Sequence, residues 1–340
     1  MVLSLRTTPD GVEDSTDRIE PETGDYIPDF AAREVLITEL DQIRRSRIPV
    51  RYFTPIATAI LMIAPLEILQ DLLQSCKEAP DVFFDGVMVR LNSDGLVAIK
   101  SYVQGDHTVT LPCIFEDNPT PCILTGRSRY VATSLLFPRM RNGQHEIHRL
   151  QSILEAFWGE KAASWIATFT NPDFVESPQN HISLNCAFYN LGADTRFAFK
   201  PLRSADPNEM RLQLHWLKPS PFQFFNSYFY DNPIQYAGVN AENTKAWGDR
   251  FDRFAKEKEF KTGHVFTIRA ENPADLPDWD MLELQWDLVR VAAIAGVRSS
   301  AMDDGMDWYD WNKEDEWSDW NVEDDGDDED VEPFQLDQEQ

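Results

Sequence analysis

The chain is short of positive charge. Its 31 lysines and arginines face 58 aspartates and glutamates, a formal net charge of −27. Phosphate binding needs cations to displace counterions, so nucleic acid is not an expected partner unless a local basic patch is present. The nearest thing to one is Arg44, Arg45, Arg47 and Arg51. Those four stand near the end of a helical pattern and read as a solvated face. Cysteine is also scarce. Cys76, Cys113, Cys122 and Cys186 form no CxxC pair, which excludes a zinc-finger ligand set and a disulfide framework. The N-terminus has no basic segment followed by an apolar one, so an intracellular location, cytoplasmic or nuclear, is expected. Long apolar runs are missing too. Thr58–Leu73 comes nearest, but Pro65, Glu67, Gln70 and Asp71 interrupt it before the roughly 20 residues a membrane span requires. No membrane association is expected, and the segment reads as a pair of buried helices.

What is present is enough to build a core, since 42% of the 340 residues are hydrophobic and 12% aromatic. The acidity is unevenly spread. From Asp303 to the end, eighteen acidic residues face one basic residue, Lys313, so −17 of the net −27 lies there and only −10 in residues 1–302.

Along the chain, residues 1–28 carry little apolar content and are expected to be disordered. Val35, Leu36, Leu40 and Ile43 recur at helical spacing in Phe30–Arg47, and a second helical region covers Ile56–Cys76. Between Val82 and Phe115, three short segments rich in β-branched and aromatic residues read as an antiparallel meander, with turns at Asn92–Gly95 and Gly105–Asp106. Glu146–Trp158 and Lys161–Phe169 are expected helices, Phe197–Leu202, Met210–Leu217 and His264–Arg269 strands, Ala241–Phe260 a charged helix and Trp279–Val297 a long closing helix. Helices and strands mix without a βαβ rhythm, so the expected class is α+β.

Several motifs fall in order between Pro121 and Leu217. They are Cys122-Ile123-Leu124-Thr125-Gly126; Leu135-Leu136-Phe137-Pro138; the helix Leu154–Trp158 with Gly159; Asn180-His181-Ile182-Ser183-Leu184, followed by Tyr189; Phe197-Ala198-Phe199-Lys200-Pro201; and Leu212–Leu217. In this respect the segment resembles the HNH nuclease domain of a large group of fungal proteins. That family typically reads CVLTG, HIFP or HIIP, a helix ending in FWG, NxISL with a histidine where Tyr189 stands, FAFKP, and a hydrophobic strand ending in HW. The resemblance implies an HNH-like core of two strands and a helix around a metal, embedded in a larger mixed domain. Together with the composition and patterning of the flanks, which the resemblance does not cover, this gives five expected segments: a disordered start at 1–28, helices and meander at 29–115, the HNH-like region at 116–218, an extension at 219–300 and a disordered tail at 301–340.

The resemblance further implies roles. In that family the first histidine activates water, the asparagine orients it and the last histidine ligates the cation. Here the first falls on Leu135 and the last on Tyr189, while Asn180 is kept. An alkyl side chain offers no lone pair for general base catalysis, and a neutral phenol is a poor ligand for a hard cation. The standard nuclease mechanism is therefore not expected, nor is a bound metal or cofactor. Displaced substitutes remain conceivable in His181, His145, His148 and Asp194. Against the first, His181 follows Asn180 in the strand and should face the other way. His215, Cys122 and Cys186 read as structural residues of the core.

Two segments stand outside the resemblance. Pro219–Tyr236 carries four Phe and three Tyr among prolines and reads first as a buried loop covering the core; in the alternative reading, Phe222, Phe224, Phe225, Tyr228 and Tyr230 line a ligand pocket. The tail spaces Trp308, Trp311, Trp317 and Trp320 among acids, a composition unable to fold alone but able to offer aromatic anchors to a protein partner. The leading expectation is a degenerate HNH-fold scaffold, a pseudoenzyme with binding or regulatory duty. The alternatives are a metal-free enzyme acting on a small metabolite in a biosynthetic pathway, of cyclase or isomerase type, and an active nuclease with displaced ligands.

Overall fold

Helix formation begins where the sequence offers an apolar stripe and a way to close its first turn. In the computed structural model, which describes residues 27–47, 53–110, 120–126, 128–140, 143–217, 260 and 262–297, α1 spans Phe30–Arg47. The preceding Ile27, which falls within the segment expected to be disordered, is buried in the core. The basic run at the end of α1 is not one solvated face. Arg44 is buried against Asp41 at 2.7 Å, while Arg45 stays exposed and takes the other oxygen of the same carboxylate.

The expected pair Ile56–Cys76 is α2 (Pro55–Ile63) and α3 (Leu66–Glu78). Thr54 caps α2 by accepting from the Ala57 N–H, and Pro55 sits where a missing donor does no harm. Every residue of α2 from Ile56 to Ile63 is buried, whereas α3 buries only one side, through Leu69, Leu73 and Cys76.

The expected meander is wrong over most of its length. Residues 80–103 are helical: α4 (Pro80–Val89), a π-turn (Arg90–Asp94) and α5 (Gly95–Val103). Phe83, Phe84, Met88 and Leu91 are buried together, a 3.6-residue rhythm that the β-branched composition masked. The supposed Asn92–Gly95 turn is a helical junction. Asn92 reaches back to Thr54 (2.9 Å between side chains), and a Cβ on Gly95 would lie 2.8 Å from Ile60 Cδ1. Only Asp106–Thr110 forms a strand, β1, and residues 111–119 lie outside the described ones.

The first sheet has the order β1-β2-β3, with β2 (Val131–Arg139) antiparallel to both β1 and β3 (His181–Asn185). Between β2 and β3 run α6 (Gln144–Trp158) and α7 (Lys161–Phe169), and α8 (Cys186–Ala193) follows β3 directly. The second sheet is β4-β5-β6: Phe197–Leu202, Glu209–Trp216 and Val265–Arg269, all antiparallel. The closing helix is α9 (Trp279–Ala295). Asp278 caps its start and Gly296, at φ +76°, ends it with the left-handed turn that glycine accepts freely. The expected helix Ala241–Phe260 lies outside the described residues except for Phe260, which is buried. The class is α+β, as expected, and one apolar core runs from Ile27 to Val297.

Helix α9 carries charge into that core. Asp287 accepts from Trp158 Nε1 at 2.8 Å, receives Lys161 at 3.4 Å and pairs with Arg290, whose guanidinium stacks 4.1 Å from the Trp286 ring. Asp287→Ala strips a buried arginine of its counter-ion. It should lower unfolding free energy by about 3–5 kcal/mol, more than a surface ion pair provides, as read by chemical denaturation.

Candidate functional site

The three positions singled out in the sequence lie on β2 (Leu135), on the turn leading into β3 (Asn180) and on α8 (Tyr189). Leu135 lies mid-strand in β2 and is 1% exposed. Directly across from it in the antiparallel register is His181, so the two side chains share a face. This corrects the expectation drawn from strand alternation. Asn180 is not part of β3 at all but ends a 3-10 turn, Pro178–Asn180, so alternation with its neighbour says nothing about His181.

Asn180 is fully buried and works on the backbone. Its Oδ1 accepts from Phe137 N–H at 2.7 Å, and its Nδ2 donates to Phe137 O at 2.9 Å and to Val175 O at 3.0 Å. The amide thus continues the β2–β3 ladder one step past the place where the β3 backbone has turned away. Tyr189, on α8, points its hydroxyl to Thr108 Oγ1 of β1 at 2.8 Å. Its neighbour Phe188 turns the other way, into an aromatic cluster with Phe197, Trp216 and Phe260.

The structure adds a residue that the sequence reading missed, His107. Its Nδ1 lies 3.0 Å from Leu135 O and its Nε2 2.8 Å from Tyr102 O. No signal in the sequence marks it, because the 28 positions separating it from Leu135 are closed only by the pairing of β1 on β2. At the outer end of the sheet Arg139 gathers its charges. It donates to both oxygens of Glu176 (2.8 and 2.9 Å), to Thr108 O (2.8 Å) and to Asp106 (3.4 Å).

These contacts set protonation. The Arg139 guanidinium holds the Glu176 carboxyl below its ordinary range. The Thr108 N–H, with Arg139 second, does the same for Asp106. Burial pulls His181 below the usual imidazole value, Glu176 opposing it, and its Nε2 has no hydrogen-bond partner. Burial also pulls His107 down against the two carbonyls. Of the two imidazoles described beside Leu135, His107 and His181, it is His181 that has a nitrogen without a hydrogen-bond partner.

The remaining candidates are scattered. His145 and His148 are exposed near the start of α6. Asp194 is buried beyond α8 and pairs with Arg196 at 3.2 Å. His215 packs on Trp286 and contacts Gln213 at 3.0 Å, with its pKa pushed by burial down to about 3. Cys122 is buried and Cys186 heads α8 half-buried, its thiol donating to Tyr130 O. Among the described residues, no group of three or more His, Cys, Asp or Glu side chains is placed to hold a metal ion. None of their helices is long and apolar enough to cross a membrane. Phe222, Phe224, Phe225, Tyr228 and Tyr230, and Trp308, Trp311, Trp317 and Trp320, lie outside the described residues. No family model, curated protein or solved structure matches the chain.

Asn180→Ala removes three hydrogen bonds, two of them buried, and takes away the partner that the side chain gives the Phe137 N–H and C=O. A loss of about 2–4 kcal/mol in urea unfolding is expected, with faster amide exchange at Phe137 than in β4–β5.

Proposed function

We propose that this chain is a catalytically degenerate HNH nuclease-like protein, kept as a binding or regulatory scaffold. The sequence motifs and the order strand, strand, helix on β2, β3 and α8 support the kinship. The observation that carries the loss of chemistry is how the two histidine positions are used. Leu135 is packed on β2, and the Tyr189 hydroxyl is committed to Thr108.

Metal-assisted phosphodiester hydrolysis needs a base near the water and a cation to take up charge on the phosphoryl oxygens. Leu135 serves neither need, and Tyr189 is hydrogen-bonded elsewhere. The displaced-ligand alternative gains one imidazole from the geometry, His181 opposite Leu135. One imidazole does not make a cation site, and the nearest carboxylates, Glu176 and Asp106, are neutralised by Arg139.

What a scaffold of this kind would bind is suggested by sequence. The tail from Asp303 combines four tryptophans with eighteen acidic residues, the composition of a segment that offers aromatic anchors to a basic, grooved protein surface. Purified full-length chain should neither retain Mg²⁺, Mn²⁺ or Zn²⁺ after dialysis nor nick supercoiled plasmid with any of them. Chelator-sensitive nicking that His181→Ala abolishes would overturn the degenerate reading. The scaffold half is checked separately: proteins recovered with the full chain should be lost on deleting residues 303–340, and unchanged recovery counts against it.

A further inference from the structure

A sheet edge with unpaired backbone groups is a template for another strand, and folded chains ordinarily blunt it. Among the described residues the two sheets end in four edges, β1, β3, β4 and β6. Strand β1 slips register twice against β2, which spoils its outer side as a template. Ile123 donates to Ser183 O, so β3 is already covered at its centre. On β4, Leu217 donates to Arg196 O, and the register carries that pattern through Ala198, Lys200 and Leu202. Phe197, Phe199 and Pro201 therefore turn their backbone outward, where proline offers no donor.

Strand β6 has none of these protections. Its residues, Val265-Phe266-Thr267-Ile268-Arg269, pair with β5 without a slip and include no proline, glycine or acid. Leu214 donates to His264 O at one end of the ladder, and Ala270 donates to Asn208 O at the other. Both bonds fix the same alternation. The backbone of Phe266 and Ile268 faces β5, and that of Val265, Thr267 and Arg269 faces away. Thr267 and Arg269 are exposed, Val265 and Phe266 half-exposed, and among the described residues no strand lies beyond β6.

The pattern of β6 also fits its own reversal. A second copy laid antiparallel about a two-fold axis at Thr267 pairs every residue of the strand and sets the outward-facing backbone groups against one another, N–H to C=O. On one side of the joined sheet the two threonines meet at the axis. On the other, Phe266 of each copy lies beside Ile268 of the second. Thr–Thr and aromatic–β-branched cross-strand pairs are both favourable. Charge does not oppose the pairing, because Arg269 falls opposite the uncharged Val265 of the second copy and is already bound to Glu209 at 2.8 Å.

We propose that β6 is the interface of a two-fold dimer of this chain, which continues the sheet as β4-β5-β6-β6-β5-β4. The inference goes beyond the scaffold reading and does not depend on the family resemblance, because it uses only the second sheet.

Sedimentation of the full chain between about 1 and 100 µM should show a species of twice the 39.1 kDa chain mass that dissociates on dilution. Thr267→Lys sets two ammonium groups against each other at the axis and should weaken association about tenfold or more. Thr267→Glu does the same with carboxylates. An equal mixture of the two variants should restore the dimer, an outcome that misfolding cannot produce. Hydrogen exchange at high and low concentration locates the contact. The amides of Val265, Thr267 and Arg269 gain protection on association, whereas those of Phe266 and Ile268, already turned to β5, hold theirs. If the Thr267 variants do not fold, this exchange pattern in the unmodified chain decides. A dimer indifferent to both variants, or one in which the Val265, Thr267 and Arg269 amides still exchange freely, overturns the proposal. So does a chain that stays monomeric to about 100 µM, which would leave the edge to a strand of another protein.

Discussion

Helix α2 presents nothing to water between Ile56 and Ile63, and α9 buries thirteen of its seventeen residues. Surfaces this apolar are stable only against one another, and at roughly 25 cal/mol per Å² removed from water their mutual burial is the largest single source of stability available to such a chain. The rest of the fold is arranged around that contact. α1 closes one end, where the Arg33 guanidinium reaches the Ala64 carbonyl at the end of α2. The second sheet lies on α9 through His215 and Trp286, while its opposite side takes the aromatic cluster of Phe188, Phe197 and Trp216.

A core so apolar tolerates polar groups only where each finds a partner, and the interior polar groups act mainly as locators. Asp287 ties α9 to α6 through Trp158 and to α7 through Lys161. Asn180 ties the turn before β3 to Phe137 on β2, which brings His181 opposite Leu135 and sets α8 at the head of the sheet. The candidate site is thus the by-product of a backbone clamp. Among the described residues, it offers the His181 Nε2, which has no hydrogen-bond partner, beside a leucine, with the neighbouring carboxylates paired to Arg139.

Where sequence reading succeeded, the signal was local. Gln144–Trp158, Lys161–Phe169 and Trp279–Ala295 announce themselves through their spacing of apolar residues, and Phe197–Leu202 through its run of buried residues. It failed at 80–103, where Val, Phe and Ile suggested strands but contact with α2 and α6 made helices. Propensity is a weak prior, and tertiary burial overrides it. At the site, Leu135, Asn180 and Tyr189 were legible because they sit inside motifs. His107 was not, since nothing within a few residues of it points to β2.

The sequence by itself determined the charge asymmetry and the α+β class, because the first depends on residue identity alone and the second on local patterning. Only the tertiary structure decided which groups face one another: that His181, not Asn180, stands across from Leu135, that Thr108 of β1 meets the Tyr189 hydroxyl, and that the His107 ring lies between two carbonyls. Strand register and long-range closure fix those pairings, and both are set by packing over dozens of residues rather than by any local run of them.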